Sequence, residues 1–480
     1  MQPQHPSSLL IVLIAAVAVS GCVKNVATGE RQLSFISQAQ EVQIGQDAAR
    51  DVRQSIGLVD DPELQAYVGR IGQELAKRSE RPDLPWSFQV VDDPSPNAFA
   101  LPGGPIFITR GMLGLMTSEA ELASVLGHEI GHVTARHAVS QISQQQLAQI
   151  GLGLGAVFSP TVQQLSGAIG SGLGLLFLKY SRDDERQADE LGFAYASRGG
   201  YDTSEFADVF VALGRVSGAQ GSALPGWLSS HPTSQERVDT ARARASANPA
   251  AQNARSGRDD FLRRIDGMVY GTNPRNGFFR DDVFFHPELQ FQMRFPSGWQ
   301  HQNMTQAVVG ASPDGAAAIE LTLADARDPE DGLKRFAGQS GVQVGPASRR
   351  TVSGLPAIGA EFSADTQQGP LRGLAVFVAH RERVYRLIGY AAASRAGTHA
   401  PAISAAIDSF GPVRDRAVLS VMPDRIAIAR LDRAQTLAEF AKRFPSAVDV
   451  EHLAAINHVA TASTRLEAGT TVKRVVAQGG

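Results

Sequence analysis

A single cysteine, Cys22, stands among 480 residues, so no disulfide can form within the chain and its folded parts must hold by packing and hydrogen bonding. Long hydrophobic runs are absent too. A membrane-crossing helix needs ~20 apolar residues, and residues 9–22, "LLIVLIAAVAVSGC", fall short of that. Two glycine-rich apolar stretches, 147–159 and 165–180, are split by Pro160 and the polar Gln163 and Gln164. They read as a packed helical hairpin whose glycines allow close helix contact. Neither sign of charge is in excess: 45 Lys and Arg face 48 Asp and Glu, a net charge of −3. There is thus no broad basic field to attract nucleic acid, and the balance suits a soluble globular protein.

What the chain does have is "HEIGHVTARH" at 128–137. Ser118 followed by Glu121 is a capping-box signature for a helix start. Leu122, Val125, Leu126 and Val133 continue at helical spacing. On that helix His128 and His132 lie one turn apart on one face and can share a metal. His137 lies further along, and on a continuous helix it turns to roughly the opposite face. It is expected to be a packed or hydrogen-bonded helix histidine and no ligand. Glu129, beside the first histidine, can reach an attacking water without binding the metal itself. A catalytic zinc needs a third protein ligand and an open fourth position. Ala135 and Ala138 stand where glycine and a third histidine would serve one class of zinc peptidase, so that route fails. The other common source is a glutamate on a later helix. Glu185 and Asp189, one turn apart in "SRDDERQADELG", meet that need. Glu185 would ligate, and Asp189 would accept the outward N–H of His128.

"LGHEIGHVTARH" and "SRDDERQAD" together resemble the HtpX/BepA-like family of zinc metalloproteases, which are HExxH proteins of the gluzincin type. Three further stretches are similar: "NAFALPGGPIFITRGML" (97–113), "GGYD" (199–202) and "SSHPTSQERV" (229–238). The likeness runs from about Asn25 to Arg244, and the motifs come in the family's order. It implies an α+β fold, a mainly helical zincin-type domain with a small edge sheet, and one Zn²⁺ per chain held by His128, His132 and Glu185. Glu129 is then the base for water attack on a peptide bond. His231 joins it as a catalytic candidate in one of two roles: a donor to the oxyanion, or a neutral ligand that fills the fourth zinc position at rest. Asn97, Ala98, Phe99 and Ala100 would form an edge strand to which an extended polypeptide adds by main-chain hydrogen bonds. Arg237 would steady the loop of His231 or face substrate.

Outside that region, Val19-Ser20-Gly21-Cys22 looks like a lipobox, although the residues before it lack Lys and Arg. Residues 1–21 then read as a lipoprotein signal peptide and Cys22 as the lipidated residue. Val23, where an aspartate would retain a lipoprotein elsewhere, implies the outer membrane facing the periplasm. Residues 22–258 are the expected metallopeptidase domain, and the small polar residues of 245–260 an expected linker. Residues 265–412 alternate as strands with two short helical patterns near 331–338 and 400–410, an α+β domain without a cluster of chemistry. Residues 418–477 resemble a small LysM-like βααβ module in "QTLAEFAKRF", "LAAIN" and "LEAGTTVKRV". Ala434-Gln435-Thr436 replaces that family's Gly-Asp-Thr, which argues against peptidoglycan binding. The function expected is a zinc endopeptidase of the bacterial envelope acting on misfolded or stalled outer-membrane proteins. Its partners would be unfolded polypeptides, the membrane through a lipid anchor, and outer-membrane assembly machinery. The alternative is a chaperone or assembly factor whose peptidase site is latent.

Overall fold

The computed structural model describes residues 22–151, 175, 178–219, 226–232, 235–248, 254–366 and 369–477. The expected signal peptide, 1–21, and most of the expected glycine-rich hairpin lie outside these. Among the described residues no helix is long and apolar enough to cross a membrane. Two compact units are present: the chain up to Gly271 together with Asp424–Val476, and Thr272–Pro423.

The first unit is mainly helical around a three-stranded sheet. Ser87–Val91 pairs in parallel with Pro105–Thr109, and Ala98–Ala100 pairs antiparallel on the other side, at the sheet's edge. A short helix, Arg110–Leu115, leaves the sheet, and helix Glu119–Thr134, the histidine helix, comes next. Its N-cap Ser118 accepts from the Glu121 amide, satisfying a donor the first turn would leave bare. Helix Arg182–Arg198, the glutamate helix, carries a full capping box between Ser181 and Asp184. The two helices pack backbone to backbone. A Cβ on Gly192 would stand 2.6 Å from the His128 nitrogen, and one on Gly127 would stand 2.9 Å from the Gly192 oxygen. Real Cβ contacts are not that short, so these two glycines set the spacing that brings Glu185 over the histidines.

The histidine helix does not continue through His137 as expected. Arg136 takes a left-handed conformation, φ 57°, at the position where glycine usually ends a helix. Its guanidinium donates to Glu41 Oε2 at 2.9 Å and to the Ile36 carbonyl at 2.8 Å, which hold it there. A new helix starts at His137. The buried Asn25 amide donates to the carbonyls of Ala135 and Thr134, closing the end of the histidine helix.

Two expectations about boundaries change. The described part of the supposed linker is built into the first unit: the Arg255 amide donates to the Gly200 carbonyl at 2.9 Å, and helix Arg258–Ile265 follows. The tail does not stand apart either. Strands Arg425–Arg430 and Thr471–Val476 pair antiparallel around helices Leu437–Arg443 and Val450–Ile456, which is the βααβ order expected. Yet Ile426, Phe440, Leu453 and Val475 share one apolar core with Val125, Leu126 and Leu213 of the peptidase region. Burial of a continuous apolar surface makes the two one body.

The second unit is built on an eight-stranded sheet, antiparallel throughout, with long central strands Leu355–Thr366, Gly369–His380 and Arg383–Ala392. Leu333 and Phe336 of helix Pro329–Ala337 pack with Phe362 and Phe377. Ile403 and Ile407 of helix Ala396–Asp408 pack with Val376 and Leu387. These are the two short helices the pattern anticipated. A cleft of about 660 Å³ lies beside the second helix, lined by Glu361, Ser363, Arg372, Leu374 and Ser404 among others.

Candidate metal centre

His128, His132, Glu185 and His231 converge, and one ligand atom from each lies within 4.8 Å of the others. His132 Nε2 is 3.0 Å from His128 Nε2, and His231 Nδ1 is 3.3 Å from the same atom. Glu185 Oε1 is 2.9 Å from His231 Nδ1 and 3.5 Å from His132 Nε2. Zinc bonds of ~2.0–2.1 Å in tetrahedral geometry put ligand atoms ~3.3 Å apart, so the set matches the edges of such a site. All four side chains are buried. Among them the Glu129 carboxylate, fully buried, has its Oε2 without a hydrogen-bond partner. Three imidazoles and one carboxylate form a donor set suited to zinc.

The electrostatics agree with ligation by neutral rings and ionised carboxylates. Burial, then His128, His137 and His231, push the His132 imidazole well below its ordinary value. Burial would raise Glu185, but His231, His128 and Arg237 hold it below its usual range. Asp189 is likewise held at about 2 against burial by Arg237 and His128. His231 is the exception. Burial would lower it, yet Glu129 and Glu185 hold it above its ordinary value, so the two carboxylates favour the charged ring where ligation needs the neutral one.

The outer partners are equally specific. His128 Nδ1–H donates to Asp189 Oδ1 at 2.9 Å, the contact expected from the helix pattern. Arg237 donates to the Pro232 carbonyl, next to His231, at 3.0 Å, a contact of the loop-steadying kind expected of it, and does more besides. Its guanidinium donates to both Asp189 oxygens at 2.7 and 2.8 Å and pairs with Glu185 Oε2 at 2.7 Å. It also stacks over the Phe210 ring and is buried. It therefore holds two carboxylates in place and does not face substrate. Planar, bidentate donation is what arginine supplies at such a position.

Two aromatic residues have no counterpart in the motif reading. Trp227 Nε1–H donates to Glu129 Oε1 at 3.2 Å, and its ring stacks with His231 at 5.2 Å between centroids. The His231 amide donates to the Trp227 carbonyl at 2.8 Å, so the tryptophan and histidine of "WLSSH" sit one helical turn apart. That i, i+4 spacing was the available signal. Tyr180 stacks on His132 at 4.0 Å.

The edge strand Ala98–Ala100 lies beside this centre. The Thr109 amide donates to the Asn97 carbonyl, and the Leu101 amide to the Pro105 carbonyl. Pairing alternates along an antiparallel strand, so the N–H and C=O of Ala98 and Ala100 point away from the sheet. The Ala98 and Phe99 side chains are buried. Asn97 is half-buried, with Oδ1 lacking a hydrogen-bond partner, and its side chain abuts Gly226.

A His-Glu-x-x-His helix crossed by a glutamate helix, with a buried N₃O donor set, defines a metallopeptidase domain. Residues 62–245 match Peptidase family M48, and the chain carries an M48 peptidase domain. It is 32% identical to the mitochondrial metalloendopeptidase OMA1 of Schizosaccharomyces pombe, over 44% of this chain and 63% of that one. It is 30% identical to the beta-barrel assembly-enhancing protease of Yersinia pestis, over 50% of each chain, and 29% identical to that of Escherichia coli K12, over 50% of this chain and 53% of that one. The chain thus spans between 50% and 63% of the length of these curated relatives. Its likeness to solved structures is slight: a cyanobacterial PsbP from Synechocystis covers 28% of this chain and 94% of its own at a TM-score of 0.24 and 14% identity.

Proposed function

We propose that the chain is a zinc-dependent endopeptidase of the bacterial envelope, held at rest in a closed state, and that its substrates are unfolded or stalled outer-membrane polypeptides. The observation that carries this reading is the buried His128–His132–Glu185–His231 set with Glu129 beside it. When bound, zinc supplies a Lewis acid to a carbonyl oxygen and acidity to a water. Glu129 supplies the base. Trp227 fixes its Oε1, so Oε2 is the atom free to take the water's proton and return it to the leaving amine. Substrate adds its backbone to Ala98 and Ala100, which favours extended chain over any particular sequence. His231 does two things in turn. At rest it fills the fourth position; when residues 226–232 lift, its ring becomes a donor to the developing oxyanion.

The same closure supports a second role. With His128, Glu129 and His231 buried, the resting protein does little cleavage, and a chaperone or assembly activity would run without it. Cys22, lipidated, would tether the chain to the outer membrane, and the beta-barrel assembly named for two relatives would be the process it serves. One experiment tests the peptidase reading: turnover of envelope proteins in cells carrying wild type or Glu129→Gln. Equal turnover in the two rejects it, and full barrel assembly with Glu129→Gln would assign assembly to the second role.

A further inference from the structure

His137, read from the sequence as a packed or hydrogen-bonded helix histidine turned away from the metal, lies against the metal centre because the helix breaks at Arg136. His137 Nδ1 is 2.9 Å from His132 Nδ1, and His137 Nε2 is 3.1 Å from Gln187 Oε1. The direction of each hydrogen bond can be worked out from the far end. Glu30, between strands Cys22–Lys24 and Arg31–Leu33, accepts from Gln187 Nε2–H at 2.8 Å. An ionised carboxylate only accepts, which orients the Gln187 amide with its oxygen towards His137. That oxygen needs a donor, so the His137 proton sits on Nε2. Nδ1 of the same neutral ring is then a bare acceptor, and the atom facing it, His132 Nδ1, must carry the hydrogen. His132 is left with a lone pair on Nε2, the atom directed at His128, Glu185 and the metal position.

We propose that His137 is a positioning residue for the metal ligand His132, selecting its Nδ1–H tautomer and fixing its ring through the chain Glu30–Gln187–His137–His132. The two histidine ligands are therefore backed unequally. An ionised carboxylate, Asp189, stands behind His128, and a neutral imidazole stands behind His132. Stacking of Tyr180 on one face of His132 removes rotation as a way out. Asp184 Oδ1, 3.5 Å from His137 Nε2, lies on the same side as Gln187 and favours the same proton position. The role rests on the zinc reading of the centre.

Two measurements test it. In the zinc-loaded full-length protein with ¹⁵N-labelled histidine, long-range ¹H–¹⁵N spectra should show protonated Nδ1 on His132, and on His137 protonated Nε2 with bare Nδ1. Chelator competition should then find zinc affinity lowered ~10–100-fold in His137→Phe, as for loss of other outer partners of metal ligands. His137→Asn, whose amide oxygen can accept the same hydrogen, should recover most of it. A His137 ring protonated on Nδ1, or His137→Phe holding zinc as tightly as wild type, overturns the role while leaving the centre intact. If His137→Phe does not fold, the wild-type spectrum and the asparagine variant decide. A wild-type chain that takes up no zinc, or His128→Ala that keeps it, overturns the centre itself and this role with it.

Discussion

Lys473 offers the sharpest test of how the tail is joined to the peptidase region. Its side chain is buried, and Nζ donates to the carbonyls of Gly114, Leu115 and Met116 at 2.9, 3.2 and 2.5 Å. Those carbonyls end helix Arg110–Leu115, where no intrahelical donor remains. They lie just before the start of the histidine helix. Burial pushes the ammonium down to about 7, against the pull of Glu121 and with Arg258 adding to the fall. The folded protein therefore sheds this proton near pH 7, and the unfolded chain keeps it to ~10.4. Between those values the unfolded state binds more protons, so stability must rise with pH. At 1.36 kcal/mol per unit the rise between pH 7 and pH 9 is ~2 kcal/mol. Lys473→Met keeps most of the volume, removes the titration and, against the neutral amine with its two N–H donors at pH 9, leaves two more buried carbonyls bare, at ~1 kcal/mol each. The variant should thus be ~2 kcal/mol less stable than wild type at pH 9, and the gap should close to about zero at pH 7. Urea unfolding followed by tryptophan fluorescence reports on it, since Trp86 and Trp227 are buried in this unit. A gap that stays constant from pH 6 to pH 9 would refute a buried, titrating lysine at this joint.

Other consequences are as direct. Alanine at His128, His132 or Glu185 should each abolish stoichiometric zinc by metal analysis, whereas Glu129→Gln should keep the metal and lose ~10²-fold or more in peptide cleavage. A Glu185→Ala protein with full zinc would remove that residue from the ligand set. Arg237→Ala leaves Asp189 and Glu185 buried without their cation and should cost ~3–5 kcal/mol in urea unfolding; a loss under ~1 kcal/mol would mean those carboxylates find other partners. His231→Ala should raise basal cleavage of a small unstructured peptide, because the ring that fills the fourth position is gone. A fall of ~10²-fold with zinc retained would leave only its donor role. Cys22→Ala should shift the protein from the membrane to the soluble fraction, and a variant still firmly bound would point to another attachment.

Part of the centre is written in the local sequence. His128 and His132, or Glu185 and Asp189, lie four apart on helices whose starts are capped by their own neighbours, Ser118 and Ser181. Helical period is a short-range property, so each pair's shared face followed from spacing alone. The glycines beside them, Gly127 and Gly192, were visible as letters, but that their backbones touch is a fact about two helices more than fifty residues apart in sequence. His137 shows the limit most plainly. The nine positions from His128 put it on the far face of an unbroken helix. What breaks the helix is a left-handed Arg136, a conformation its own side chain disfavours, tolerated because Glu41 and Ile36 bind its guanidinium from a distant helix and its approach. The role of Arg237 and the hold of Trp227 on Glu129 are of the same kind. So is the tail, whose βααβ order was legible while its place was not. Local spacing carried the strand and helix pattern, but only the folded core shows that Ile426, Phe440 and Val475 bury the same surface as the histidine helix. Burial is a property of the whole chain's packing, and no window of sequence contains it.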